Sequence, residues 1–419
     1  MPAVSRAKTK MSYTLPDSRH AAETLDEHDI LGHAHDFFDL PNGKVYLVGH
    51  SLGPATHNAL DALEMAGGRS WRNELVKAWN SASWFDLPQT VGNKIARLIG
   101  ANEGEVLIAD SVSLNLYKLA SAARTLARTS TLIVEEDEFP TDQYIIEALA
   151  ALAGADFVRV APGEGLNTVK ATGGVLVLSA VNYRSADIRD IADAERRAQA
   201  GGGVIVWDLS HATGVIALDM KASGARLATG CTYKYLNGGP GAPAFLYIDQ
   251  SLTARLSTPL PGWMGHARPF AFEPSYDPAN NIRRFASGTP PILSLAALSG
   301  ALEVFEGIDI GLVQAKARAL GDLVIERAKG MGLEVTSPED AACRGGHVSF
   351  THPHGYEVVQ ALINRGVLAD FRAPETIRFG VSPLYLRFTE VWDAMDDLKD
   401  ILDHDAWDDP VYRQRDTVT

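Results

Sequence analysis

From about residue 100 the chain alternates short runs of aliphatic and β-branched residues with longer stretches whose apolar positions recur every three or four residues. The short runs are Val106–Ala109, Thr131–Glu135, Phe157–Val160, Val175–Ser179, Val204–Leu209, Arg226–Gly230 and Ala244–Ile248, all of strand length. Between them, Leu114–Leu126, Asp142–Leu152 and Ile191–Ala200 carry the spacing of amphipathic helices. This alternation predicts an α/β fold built on a large, open, mostly parallel sheet of seven strands.

The pattern breaks in the Pro- and Gly-rich region Pro259 to Pro291, which has no sustained periodicity. Its length and its Trp- and Phe-bearing pieces predict a packed functional connection and not a flexible linker. Beyond it, Leu293–Phe305 and Leu312–Met331 read as helices, and Leu333–Thr336, His347–Thr351, Val367–Phe371 and Thr376–Phe379 as short strands. A smaller C-terminal α+β domain follows. At the other end, Leu40–Leu47 reads as a turn and then a strand. The expected division is an N-terminal arm and start of the small domain at 1–60, a large α/β domain at 61–300 and the small domain at 301–419. No repeat of 20–50 residues is found.

Composition narrows the function. Of 419 residues, 38 are Lys or Arg and 52 Asp or Glu, a formal charge of −14. That sign disfavours phosphate backbones and anionic lipid, so neither nucleic-acid nor membrane partners are expected. No apolar run approaches the roughly 18–20 residues of a membrane span. The basic segment Met1–Lys10 is followed by no apolar stretch, so no secretory signal is expected. Two cysteines, Cys231 and Cys343, cannot make a disulfide framework. A cytoplasmic location is the expectation.

The chemistry concentrates in Val204-Ile-Val-Trp-Asp-Leu-Ser-His211 and, 26 residues after Asp208, in Lys234 of Thr232-Tyr-Lys-Tyr-Leu-Asn-Gly-Gly-Pro-Gly241. A carboxylate at the C-terminal end of a buried strand sits where open α/β sheets bind ligands. A lysine on a nearby Gly-rich loop can form a Schiff base, and pyridoxal phosphate chemistry uses such a pair. Each residue also has a plainer reading: Asp208 as a turn cap, Lys234 as a solvated loop lysine. Asp208 and His211 supply only two of the ligands that a zinc or iron site needs, so no metal is expected.

The run Gly230-Cys-Thr-Tyr-Lys-Tyr-Leu-Asn-Gly-Gly-Pro-Gly-Ala-Pro-Ala-Phe245, after Asp208-Leu-Ser-His-Ala-Thr-Gly214, resembles the kynureninase family. These are fold-type-I pyridoxal-phosphate hydrolases related to the class V aminotransferases. The resemblance continues through Asn115–Lys118, Phe139-Pro-Thr-Asp142, Val181-Asn-Tyr-Arg184, Gly262-Trp-Met-Gly-His266, Gly288-Thr-Pro-Pro291 and Ile377-Arg-Phe-Gly380. It implies that Lys234 is the Schiff-base lysine, Asp208 the partner of the pyridine nitrogen and Tyr233 a proton donor and phosphate contact. It also implies that Phe139 stacks on the ring, that Asp142, Ser179 and His211 lie beside it, and that Val112 and Ser113 hold the phosphate. Trp263 and Thr289 would reach the phosphate of a neighbouring subunit, which implies a homodimer with shared sites. Arg378 would clamp the substrate carboxylate, with His50, Ser51 and Trp79 on the substrate side. The implied reaction is hydrolysis of the Cβ–Cγ bond of L-kynurenine, or its 3-hydroxy form, to anthranilate or 3-hydroxyanthranilate and L-alanine, a step of tryptophan catabolism. The alternative is a hydrolase or lyase of the same kind acting on another 2-amino-4-oxo or related amino acid.

Three departures, at Val48, His50 and Ala180, touch this pocket. The family's Asp-Gly-Asn-Ser-Leu-Gly loop reads Val48-Gly-His-Ser-Leu-Gly53, and the histidine usual before Val-Asn-Tyr is Ala180.

Overall fold

The structure, a computed structural model, describes residues 13–414. The first twelve residues of the expected arm lie outside them. In chain order the strands are β1 (Val45–Tyr46), β2 (Val106–Ile108), β3 (Leu132–Glu135), β4 (Phe157–Val160), β5 (Val175–Ser179), β6 (Val204–Asp208), β7 (Leu227–Gly230) and β8 (Phe245–Ile248), followed by β9 (Glu334–Val335), β10 (His347–Thr351), β11 (Val367–Leu368), β12 (Asp370–Arg372) and β13 (Thr376–Gly380).

Seven of these form one sheet in the order β2-β8-β7-β6-β5-β3-β4. Strands β3 to β7 run parallel, and β8 is antiparallel to both its neighbours. Every residue of β5 and β6 is buried, because both faces of the sheet are covered. Leu176, Leu178, Ile205 and Trp207 enter one apolar core with Val91, Ile95, Ala194 and Ala198 of the helices Leu87–Leu98 and Ile191–Ala200. Val175, Val177, Val204 and Val206 enter the other, with Leu116, Leu119, Ile146 and Leu149 of Val112–Ala123 and Pro140–Ala153. The polar edge of Trp207 has a partner: its indole N–H donates to Glu195 Oε1 at 2.9 Å.

Element ends differ from the expected ones where caps act. The helix expected from Leu114 starts at Val112 because the Ser111 hydroxyl accepts from Leu114 N at 3.4 Å. That expected from Leu312 starts at Ile310, where Asp309 accepts from Gly311 N at 2.8 Å. The run Val367–Phe371 is divided at Ala369. Its first part pairs in parallel with β1, and its second joins the four-stranded sheet β12-β13-β10-β9. In the region Pro259 to Pro291, three short turns replace regular structure; Ile282 and Phe285 are buried, while Phe270 and Phe272 stay exposed. Among the described residues, no helix is long and apolar enough to cross a membrane.

The two ends of the chain are tied by one carboxylate. Asp26, in the helix Arg19–Glu27, accepts from Phe388 N at 2.7 Å, Thr389 N at 3.0 Å and Thr389 Oγ1 at 2.7 Å. It thereby caps the helix Phe388–Asp403 from outside, satisfying donors that no intrahelical carbonyl can reach. Asp26→Ala is expected to lower stability by about 1–2 kcal/mol, read from the denaturant midpoint. An unchanged midpoint would show that this cap contributes nothing.

Candidate active site

Strands β5 and β6 end in register, with Ser179 opposite Asp208, so two polar side chains sit side by side at the C-terminal edge of the sheet. The loops that follow these strands and β3 and β7 close around that edge. The cavity they form is lined by Val112, Ser113, Phe139, Asp142, Ser179, Asp208, His211, Tyr233 and Lys234. Thr141, Tyr183, Ser210 and Cys231 complete much of its wall.

Each wall is held by local structure. The Lys234 loop is closed by Asn237 N donating to Lys234 O and Gly238 N donating to Thr232 O, both at 2.9 Å. The Thr232 hydroxyl donates to Pro243 O at 2.7 Å. The loop 48–53 packs directly on it: Gly53 N donates to Tyr233 O at 2.7 Å, and a Cβ at Gly53 would lie 2.2 Å from Lys234 O. Only glycine permits that approach. Across the cavity, Val112 and Ser113 open a twelve-residue helix, leaving first-turn N–H groups outside its ladder. Such a terminus suits an anion. Phe139 is 43% exposed and meets Tyr183 edge-on, 5.3 Å between ring centres.

The charge in this cavity is tightly constrained. Burial, then the nearby Asp208 and Glu138 charges, push the Asp142 carboxyl well above its usual range. As the acid it can donate to Asp208, and its Oδ2 receives no hydrogen bond from the described residues. Burial, then the charge of Lys234, hold His211 well below an ordinary histidine, so its imidazole is neutral. His211 Nδ1 has no partner among the described residues. Burial raises Tyr233 and Cys231 above their ordinary values, leaving a phenol and a thiol. Among the described residues, no group of three or more His, Cys, Asp and Glu side chains could hold a metal ion.

The six remaining expected residues stand elsewhere. Arg378, on β13, is buried opposite Asp370 of β12; one Nη pairs with that carboxylate and the other donates to Tyr183 O, which places it behind the Tyr183 wall. His50 does not line the cavity: it is fully buried, with Nε2 3.2 Å from Asp370 Oδ2 and its ring stacked on His347 at 5.1 Å. Gly380 makes this possible, since a Cβ there would lie 2.2 Å from His50 Nδ1. Burial, then the Arg378 charge, lower His50 to about 4, so it is neutral at pH 7. Although burial opposes it, the close polar contact with His50 and the charges of Arg378 and Arg372 hold Asp370 well below the carboxylate range. Ser51 turns back, its N–H donating to Val48 O at 2.8 Å. Trp79 packs edge-on to Trp84, Trp263 is half-exposed beside Phe270, and Thr289 is exposed; none of these lines the cavity of its own chain.

Residues that the sequence pattern does not single out include Asp370, His347 and Glu138. Glu138 lies in Glu135-Glu136-Asp137-Glu138, which reads as solvated charge, yet Glu135 and Glu138 are buried while Glu136 is exposed.

Comparisons with known proteins agree with this geometry. Solved structures of similar fold include the cysteine desulfurase CsdA from Escherichia coli, with a TM-score of 0.75 and 18% identity over 89% of this chain and 98% of that one. A second is a C-DES variant with glycine covalently linked to its PLP cofactor, at TM-score 0.74 and 17% identity, covering 92% and 100%. The family model of the kynureninase C-terminal domain matches residues 313–398. The kynureninase of Pseudomonas fluorescens is 41% identical over 96% of this chain and 100% of its own length. That of Burkholderia pseudomallei strain 1106a is 40% identical over the same shares. With relatives this similar along nearly the whole chain, and a cavity assembled from the motifs that carry the likeness, the protein belongs to the kynureninase family.

Proposed function

We propose that this protein is a pyridoxal-phosphate-dependent hydrolase that splits the Cβ–Cγ bond of L-kynurenine into anthranilate and L-alanine. The observation that carries the reading is the convergence of Lys234, Asp208, His211 and a helix N-terminus on one cavity in a member of this family. The donor set fits the cofactor. His211 Nδ1 is buried without a partner among the described residues, as an atom facing a bound group would be. Lys234 would hold the aldehyde carbon, Asp208 the ring nitrogen, Phe139 the ring face, and Val112, Ser113 and Tyr233 the phosphate.

When bound, pyridoxal phosphate supplies an electron-accepting ring conjugated to the substrate nitrogen. Asp208 keeps the proton on the ring nitrogen, and the acid form of Asp142 beside it spares the cavity a second full negative charge. Lys234 Nζ takes the proton from the substrate Cα. Water adds to the γ-carbonyl, and as the Cβ–Cγ bond breaks the acyl carbon leaves as the acid carrying that oxygen while Tyr233, kept a phenol by burial, is suited to return a proton to Cβ. Arg378 orients the α-carboxylate. Its cluster with Asp370 and Arg372 holds two guanidinium groups to one carboxylate, with His50 neutral, so positive charge remains for an incoming anion.

The same proposal includes a cytoplasmic homodimer in which Trp263 and Thr289 serve the neighbouring copy's cavity. Their position off their own chain's cavity and the exposed Phe270 and Phe272 nearby support it. It also includes the division into segments 1–60, 61–300 and 301–419, supported by the pairing of β1 with β11.

The purified holoenzyme is expected to form anthranilate and alanine in equal amounts from L-kynurenine, followed by fluorescence and amino-acid analysis. Lys234→Ala should lose the visible absorption of the bound cofactor and lower turnover by about 10²–10⁴-fold or more. A wild type that binds the cofactor but forms no anthranilate would overturn the substrate. Arg378→Ala should raise KM by about 10–100-fold, and Arg378→Lys should not restore it, because a point charge lacks the two-donor fork. Unchanged steady-state constants would take Arg378 out of substrate binding.

A further inference from the structure

Ser179 presents its hydroxyl to the cavity from the end of β5, beside Asp208. Behind it lies a group that no step above uses. Glu138 is 2% exposed, and its carboxyl grips Ser179 twice: Oε1 accepts from Ser179 N at 3.0 Å, and Oε2 shares a hydrogen bond with Ser179 Oγ. The first bond has a fixed direction. The second does not, because a hydroxyl can give or take a proton depending on whether the carboxyl is ionised.

We propose that Glu138 is a positioning residue that sets the direction of the Ser179 hydroxyl. As a carboxylate it accepts the hydrogen bond of the hydroxyl, so Ser179 turns a lone pair to the cavity. As an acid it donates to Ser179 Oγ, freeing the hydroxyl to donate into the cavity. The chemistry available to a bound ring's oxygen or nitrogen therefore changes with one proton that never enters the cavity. This rests on the pyridoxal-phosphate reading above.

The surroundings set where that proton is lost. Burial raises Glu138 to about 7, opposed by its two bonds from Ser179 and by Arg189. Arg189 follows β5 and pairs with Glu135 of β3. Asp137, on the same loop, adds to the rise. From the helix Pro140–Ala153, Asp142 faces Glu138 across the cavity edge, with Asp208 of β6 beyond it. Since the folded value lies above that of an exposed glutamate, the acid form is present below about 7 and is lost as the pH rises through it.

The test uses wild type, Glu138→Gln and Ser179→Ala, each saturated with pyridoxal phosphate and titrated across neutral pH by absorption. In Glu138→Gln the amide accepts from Ser179 N and donates to Ser179 Oγ, reproducing the acid state. That variant should hold the wild type's low-pH spectrum at every pH, and Ser179→Ala should lose the transition near neutrality. In cofactor-free protein, infrared difference spectra should show a buried acid C=O stretch that fades as the pH rises through neutrality in wild type and is missing in Glu138→Gln. Persistence of the wild-type transition in either variant, or a stretch unaffected by Glu138→Gln, would overturn the inference alone. A wild type that takes up no pyridoxal phosphate would overturn the cofactor reading and this inference with it. Should Glu138→Gln fail to fold, the wild-type infrared titration and Ser179→Ala still decide.

Discussion

Three carboxyl groups, Glu138, Asp142 and Asp208, are buried within one end of a parallel sheet, and the organisation of the site follows from what that burial demands. Three desolvated negative charges this close would be prohibitive, and a single lysine does not compensate them. The structure divides the burden. Asp142 takes a proton and can bond Asp208, Glu138 is satisfied by both polar atoms of Ser179, and Lys234 stands among them. Neutral His211 adds no second cation. A cavity arranged this way accepts a ligand with a positive ring nitrogen at one end and an anionic tail at the helix N-terminus on the other.

Much of the frame is legible in the amino-acid pattern, and for a physical reason. Strands covered on both faces have no polar positions to confuse that pattern, so Val175–Ser179 is readable to its last residue. Helix starts are less legible, since Ser111 and Asp309 act through hydrogen bonds that apolar spacing does not encode. Val367–Phe371 reads as one strand because all but Asp370 are apolar or small, yet its halves belong to different sheets. Local sequence carries strand propensity; partner choice is a property of what lies alongside.

The cavity is recoverable because its motifs are contiguous: nine of the expected residues are drawn from short runs at the sheet edge. The layer behind it is hidden by residue type. Glu138 and Asp370 are acids in polar-looking segments, and nothing in one sequence distinguishes an acid facing water from one facing a serine or an arginine. His50 misleads in the opposite way, since a histidine in a loop expected to face substrate is in fact sealed against β13 and Asp370.

That displacement gives the departures in the loop 48–53 a physical meaning. Asp370 is the register partner of Arg378, so the arginine meets a carboxylate by strand pairing alone, whatever residue 50 is. What His50 adds is a neutral imidazole whose Nε2 lies 3.2 Å from the same oxygen. A neutral polar ring beside Asp370 does not compete for it as a third cation would, so the Arg378 pair keeps its charge balance. Its imidazole also fills the space beside His347 and above Gly380, where a smaller amide would leave a void. The change at residue 50 therefore acts on the surroundings of the Arg378–Asp370 pair and not on the cavity surface. On the reading proposed above, in which Arg378 meets the substrate carboxylate, a substrate would sense the change through the orientation of that guanidinium.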